Sequence, residues 1–333
     1  MRITKQRGSA LLAVLWLSAA LAAMAFSLSS VVREETERAS TSVDGLRCYY
    51  LAASAIDRAA LELLWSVQNP QKPILPPTIK TIDYHFDVGD ARVTVMPEAA
   101  KLDVNSAPLE MLYHLCLALD IEPGRAAEIA AGIDGWRRGI AGPAAATRLF
   151  PGAGPSFPGP PASFHEIEEL LLVKGITPDI FYGTYVPAPE GTDGSSPRLV
   201  PRQGLEDCLS VFGSNGTALD ANATAPAVLI AIGMPPQAVA ALVQQRRLKP
   251  FTEQTLLDFM QMIGAGGFPL KVIGKSIITL RATARLRLPN GQPSDLKRTV
   301  AEQVKYMPPG YDSQIHVLRW YDSAARTETA WSN

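Results

Sequence analysis

Residues 2–32 constrain this chain more than any other stretch. Arg2, Lys5 and Arg7 precede Gly8, and Ser9 to Val32 then runs on without a charge and mostly apolar. At about 1.5 Å per residue, a helix of that run measures about 36 Å, enough for a hydrocarbon core of about 30 Å. The basic flank predicts that the N-terminus stays cytoplasmic and that everything after Val32 is exported. Two readings follow from these residues: an uncleaved signal anchor, or a secretory signal peptide cut after Ala23-Met24-Ala25, before Phe26.

At 333 residues, 47% of them hydrophobic, the chain can bury one large core or two modest ones. Its 31 basic and 32 acidic residues leave a net charge of −1, and losing residues 1–8 would make it more negative. This balance argues against a nucleic-acid surface. Cys48, Cys116 and Cys208 form no CxxC pair, which argues against a zinc knuckle or a thioredoxin-type motif. An oxidising compartment would permit one disulfide, Cys116–Cys208 being the pair to test, with buried thiols the equal alternative. His85, His114, His165 and His316 are isolated, and no HExxH, Walker loop or GxSxG occurs. Glu166, Glu168 and Glu169 read more simply as a helix N-terminus than as an active site. No enzyme and no catalytic residue is expected.

The apolar helix is expected to continue beyond the membrane as an amphipathic segment, 33–68. Leu46, Tyr49 or Tyr50, Ala53, Ile56, Ala60 and Leu64 recur at helical spacing and predict one packed face. Gly45 and the Thr/Ser run before it are expected to soften the middle, Glu34 and Arg38 to pair on the exposed face, and Asn69-Pro70 to end the helix. A first β-hairpin is expected over 80–98, with Tyr84, Phe86 and Val88 on one face, a turn at Gly89-Asp90, and Val93 and Val95 returning.

An internal repeat follows. Leu102-Asp103-Val104-Asn105-Ser106-Ala107-Pro108 recurs as Leu219-Asp220-Ala221-Asn222-Ala223-Thr224-Ala225-Pro226. Each copy precedes helical stretches (109–118 and 126–136; 227–232 and 237–246). Each then reaches Phe-x-Glu, at Phe164 and Phe251, before a further helix closed by Gly175 or Gly264. The polar cluster before each Pro reads as a helix-start signal. Two related all-α modules, about 101–186 and 218–267, are therefore expected within an inserted domain, 99–270, with low-complexity loops at 139–163 and 187–203. Period-two alternation returns after Gly274: Ile278, Leu280, Ala282, Ala284 and Leu286 share an apolar face. Asn290-Gly291 marks a hairpin, Thr299 to Tyr306 a return strand within 275–306, and 307–333 a tail that is either an edge strand or a partner surface.

A third reading of the N-terminus rests on resemblance. A basic leader ending in Gly8 resembles the leader of type IV pilin-like proteins, which prepilin peptidase cuts on the cytoplasmic side. With the Arg7-Gly8-Ser9-Ala10-Leu11-Leu12 start, the Leu51-Ala52-x-x-Ala55-Ile56-x-x-Ala59 stretch and the two Leu-Asp-x-Asn repeats, the chain resembles the K-type minor pseudopilins of the type II secretion system. The resemblance runs over nearly the whole chain, weakest in 139–203 and after 307. It implies an α+β, pilin-like fold, a long N-terminal helix plus antiparallel sheet, with a large all-α insertion. It implies cleavage between Gly8 and Ser9 with methylation of the new N-terminus, a single pass in the bacterial inner membrane with a periplasmic bulk, and I- and J-type pseudopilins as partners in the pseudopilus. Most pilin-like proteins carry Glu at the fifth mature position. Here that residue is Ala13, and the K-type member typically lacks the Glu, as a tip subunit with no subunit ahead can. Ser9 departs from the family's usual Phe or Met. Where the family often shows an acidic pattern linked to calcium, this chain reads Asp134-Gly135-Trp136-Arg137-Arg138, whose arginines oppose a cation. No cofactor is expected, and the calcium site is not carried over to Asp134.

The alternative is a tethered DNA-binding protein, because 219–264 also resembles the helix-hairpin-helix modules of competence-type receptors. Its hairpin would be Ile232-Gly233-Met234-Pro235-Pro236, where two prolines remove donors that a phosphate needs.

Overall fold

A computed structural model describes residues 9–69, 71–76, 79–139, 163–187, 199–216, 218–264, 266–273, 276–308 and 310–324. Gly8 and most of the two low-complexity loops lie outside the described residues. One helix, α1 (Ser9–Gln68), occupies 60 residues without a break. Gly45 does not interrupt it: the residue is buried, and the space a Cβ would take adjoins the Arg298 guanidinium at 3.4 Å. Packing here outweighs the roughly 1 kcal/mol that Gly costs a helix. The exposed pairs are Arg33 with Glu37 and Arg38 with Glu35, each at 3.1 Å, in place of the expected Glu34–Arg38. Past the helix end, the Ser66 hydroxyl accepts from the Leu75 amide at 2.9 Å and folds the connector back.

The C-terminal half of α1 lies on a five-stranded antiparallel sheet: β1 (Thr81–Phe86), β2 (Gly89–Pro97), β9 (Ile277–Arg287), β10 (Pro293–Tyr306) and β11 (Ile315–Tyr321), in that spatial order. The packed stripe of α1 is Cys48, Leu51, Ala52, Ala55, Ile56, Ala59, Ala60 and Leu63. It is rotated from the expected face. Leu46 and Tyr50 stay exposed, because the Ala-rich stripe is the one that lets a helix approach a sheet closely. The sheet answers with Ile82, Tyr84, Val93, Val95, Ile278, Leu280, Ala282, Ala284, Val300 and Val304, every second residue as pleating requires. Two tyrosines tie the layers: Tyr84 donates to Glu62 at 2.7 Å and Tyr306 to the Ala60 carbonyl at 3.0 Å.

The β1–β2 turn is made by Asp87-Val88, two residues earlier than expected, and Gly89 already belongs to β2. Gly is required there by close approach: a Cβ at 89 would stand 2.3 Å from the Arg285 carbonyl oxygen of β9. The Asn290-Gly291 turn forms as expected, with Gly291 at φ 81°, and β10 begins earlier than Thr299. The tail supplies β11 as the edge strand.

Between β2 and β9 the chain leaves the sheet to build two helical modules. The first holds β3 (Leu102–Asp103), α2 (Leu109–Ala118), α3 (Pro123–Arg137), a 3₁₀ turn over Ile167–Leu172 and α4 (Pro178–Phe181). Residues 170–175 thus form no α-helix of their own. The Glu169 carboxylate accepts from the His165 amide at 2.8 Å and caps the 3₁₀ turn. A short ladder of β4 (Thr184–Pro187) with β5 (Leu199–Arg202) follows, so 199–202 is strand where a loop was expected. Next come α5 (Leu205–Cys208) and β6 (Leu209–Ser210), whose strand runs parallel to β3. The second module holds β7 (Leu219–Asp220), α6 (Pro226–Ala231), α7 (Pro236–Leu248), α8 (Glu253–Met262) and β8 (Leu270–Lys271), with β7 parallel to β8. The modules share part of their packing: Trp136 stacks on Phe164 at 4.8 Å in the first and Phe251 meets Phe259 at 5.1 Å in the second, while Leu219, Ala227, Val228 and Ala231 of the second are buried in the first module's cluster.

Candidate assembly surface

Among the described residues, nothing packs against the N-terminal half of α1. From Leu11 to Val32 every residue is exposed, Trp16 at 76% and Phe26 at 79%. The helix is long and apolar enough to cross a membrane by length and composition, with a mean hydropathy of 2.2 over its most apolar window. Ser9 is its first residue, and Ala13 stands exposed one turn later with no carboxylate on the helix before Glu34. Bare apolar surface does not stop at Val32. Leu46, Tyr50, Leu61 and Trp65 remain more than half exposed on the side of α1 away from the sheet. The sequence pattern concealed this because both stripes of the segment are apolar.

At the open edge, β11 meets the same helix. Trp320 Nε1 and the Tyr49 hydroxyl both donate to Asp322 Oδ1, each at 2.8 Å, and the two rings meet edge-on at 6.4 Å. The alternation in Ile315 to Tyr321 was the available signal for this strand.

The inserted modules are fastened by elements that recur. In the first, Asn105 donates to the Phe164 carbonyl at 3.0 Å and accepts from its amide at 2.7 Å; Asn222 and Phe251 do the same in the second. Asp103 and Asp220 each accept from the amide two residues on, at 2.9 Å, folding the backbone into a turn. Arg137 and Arg246 reach back to the Ala107 and Thr224 carbonyls at 2.6 and 2.7 Å. The repeated polar cluster therefore does more than start helices: it pins distant segments together.

These contacts also fix how the remaining sequence candidates stand. Asp134 is held by Arg137 at 3.1 Å and Arg138 at 2.8 Å. Among the described residues no group of three or more His, Cys, Asp or Glu is placed to hold a metal ion. Cys116 and Cys208 are buried in the first module's core as thiols, without the disulfide that the sequence allowed. Burial pushes the Cys116 thiol up to about 12. In the second module Pro235 and Pro236 occupy the start of α7, and Arg246 is turned inward, burial lowering its pKa. In the first, the Glu122 carboxylate accepts from the Gly124 and Arg125 amides at 2.9 Å, filling the position that a phosphate would take.

A likeness to a solved structure joins these observations. The chain superposes on one from the crystal structure of the GspK–GspI–GspJ complex of the type 2 secretion system of enterotoxigenic Escherichia coli. The match has a TM-score of 0.53 at 16% identity and covers 86% of this chain and 100% of the other. The fold is shared. It is α+β and pilin-like: a long N-terminal helix on an antiparallel sheet, with additional helices. No protein-family model and no curated protein sequence matches the chain.

Proposed function

We propose that this chain is a minor pseudopilin of the type II secretion system, of the K type, placed at the tip of the periplasmic pseudopilus and helping to start its assembly. The observation that carries the reading is the combination in one chain of a bare apolar half-helix, a sheet-packed half-helix and a bulky insertion between adjacent strands, a fold shared with a chain of the GspK–GspI–GspJ complex. In this reading the N-terminal half of α1 sits in the inner membrane and the remainder of the chain in the periplasm.

After prepilin peptidase cuts between Gly8 and Ser9, the exposed stripe through Leu46, Tyr50, Leu61 and Trp65 would continue the membrane half as one packing surface for neighbouring pseudopilin helices. A carboxylate in hydrocarbon is costly unless paired. Ala13 removes that cost from a subunit with no neighbour ahead. The two modules are too bulky for the interior of a repeating filament, so they fit its end. The reading assigns no catalytic residue and no cofactor.

N-terminal sequencing of the mature protein, together with co-purification with I- and J-type pseudopilins, tests it. A mature start at Ser9 with both partners retained is expected. A start at Phe26 would make the protein a free periplasmic one. A start at Met1 with neither partner bound would leave only a membrane anchor.

A further inference from the structure

The C-terminal end of α1, the connector after it, the end of β2 and the second module surround a cavity of about 710 Å³. Its wall is mostly apolar, built by Leu63 and Val67 of α1 with Ile79, Val95, Phe251 and Val272. Four charged side chains interrupt that wall: Lys80, Lys249, Asp220 and Glu253. The two carboxylates are already accommodated. Asp220 is 5% exposed, accepts from the Asn222 amide at 2.9 Å, and lies close enough to the half-buried Arg246 for the two charges to attract. Glu253 is exposed and opens α8, where the amides of the first turn favour its charge. The two ammonium groups are not so placed: among the described residues neither Lys80 nor Lys249 forms a salt bridge. Lys80 stands at the rim, in part in solvent. Partial burial, and after it the charge of Arg246, lowers its pKa; Asp220 opposes this and Arg247 adds to it.

We propose that this cavity binds a free carboxylate with an apolar body, of the medium-chain fatty-acid class, with its head on Lys80. An apolar wall carrying a few polar groups, at a junction between domains, is the usual form of a small-molecule site. The wall takes the hydrocarbon. An ionised carboxylate offers acceptors alone and an ammonium donors alone, so the head and Lys80 complement each other. The head needs no second lysine; Lys249 adds only to the positive field of the lining. A cationic ligand would meet two ammonium groups that lack counter-charges, and a neutral one would leave Lys80 between the repulsion of Arg246 and Arg247 and the single charge of Asp220.

Calorimetric titration of the full chain in nanodiscs of zwitterionic lipid with sodium octanoate, at about pH 7.5 where a carboxylate is charged, tests the site, with empty discs as the blank. Octanol, with the same tail and no charge, and octylammonium, with the opposite charge, are the controls. Saturable binding of one octanoate per chain is expected, at least tenfold tighter than either control. Lys80→Met keeps the stem and removes the charge, and is expected to bring octanoate down to the level of octanol. Ala223→Leu adds bulk to the wall and is expected to weaken octanoate severalfold. Absence of saturable binding, octanol or octylammonium binding as tightly as octanoate, or wild-type octanoate affinity in Lys80→Met overturns the proposal. Thermal unfolding checks that each variant folds; should Lys80→Met fail, wild-type octanoate affinity in Ala223→Leu is decisive against it.

Discussion

Asn222 and Phe251 are joined by two hydrogen bonds, the Asn amide donating to the Phe carbonyl at 3.0 Å and its oxygen accepting from the Phe amide at 2.8 Å. Asn222 is buried, so neither bond competes with water. Asn222→Asp keeps the shape and the acceptor but sets a carboxylate oxygen against the Phe251 carbonyl. A loss of about 1–3 kcal/mol is expected, with faster amide exchange around Phe251 and unchanged exchange around Phe164. Uniform acceleration across both modules would mean that they unfold as one unit.

Glu302 lies 5% exposed between the sheet and α1, and burial, with the charge of Asp57 adding to it, raises its pKa from 4.5 to about 7. The folded chain therefore holds a proton that the unfolded chain releases. The associated stability is fully present below about pH 4.5 and is lost as pH rises through about 7. Glu302→Gln is expected to flatten this part of the melting-temperature profile and to be the more stable protein at about pH 8. Parallel profiles for the two proteins would rule this out.

The two stripes of α1 make opposite predictions. Ala59 is fully buried against the sheet, and Ala59→Leu overfills that contact, at a cost of about 1–3 kcal/mol in denaturant titration. Tyr50 is 61% exposed, and Tyr50→Ala is expected to leave stability within about 0.5 kcal/mol of the parent. In the proposed assembly the second variant, not the first, should lose pseudopilin partners in co-purification from equal amounts of folded protein.

Gly89→Ala would place a Cβ 2.3 Å from the Arg285 carbonyl oxygen, which belongs to backbone and cannot swing away. A loss on the order of 1–3 kcal/mol is expected, with exchange protection falling along β2 and β9. Unchanged protection of the Leu286 and Arg287 amides would show that the strands adjust freely.

Much of the architecture was legible in the sequence because periodicity survives wherever one face is buried. Ile278, Leu280, Ala282 and Ala284 announced both their strand and its inward side, and the doubled Leu-Asp-x-Asn marked the two matching turns at Asp103 and Asp220. The face of α1 was not legible: Leu46 and Ile56 are equally apolar, and only the need for small side chains beside the sheet separates them. Nor was the Asn–Phe clamp, although both of its members recur. The partners lie 59 residues apart in one module and 29 in the other, so no local spacing joins them.

Met96 pairs with Thr279 and Pro97 with Ile278, so the chain leaves the sheet and returns to it at adjacent rungs. Topologically, everything between is one oversized hairpin loop. Closing a longer loop adds only about 0.6 kcal/mol per doubling of length, so the length of that loop by itself costs the sheet little. A cargo of helices can be exchanged, enlarged or cut back to a tight turn there without rewiring a single strand. The end of the β2–β9 ladder is thus a grafting point, where two chains can differ while sharing the same helix and sheet.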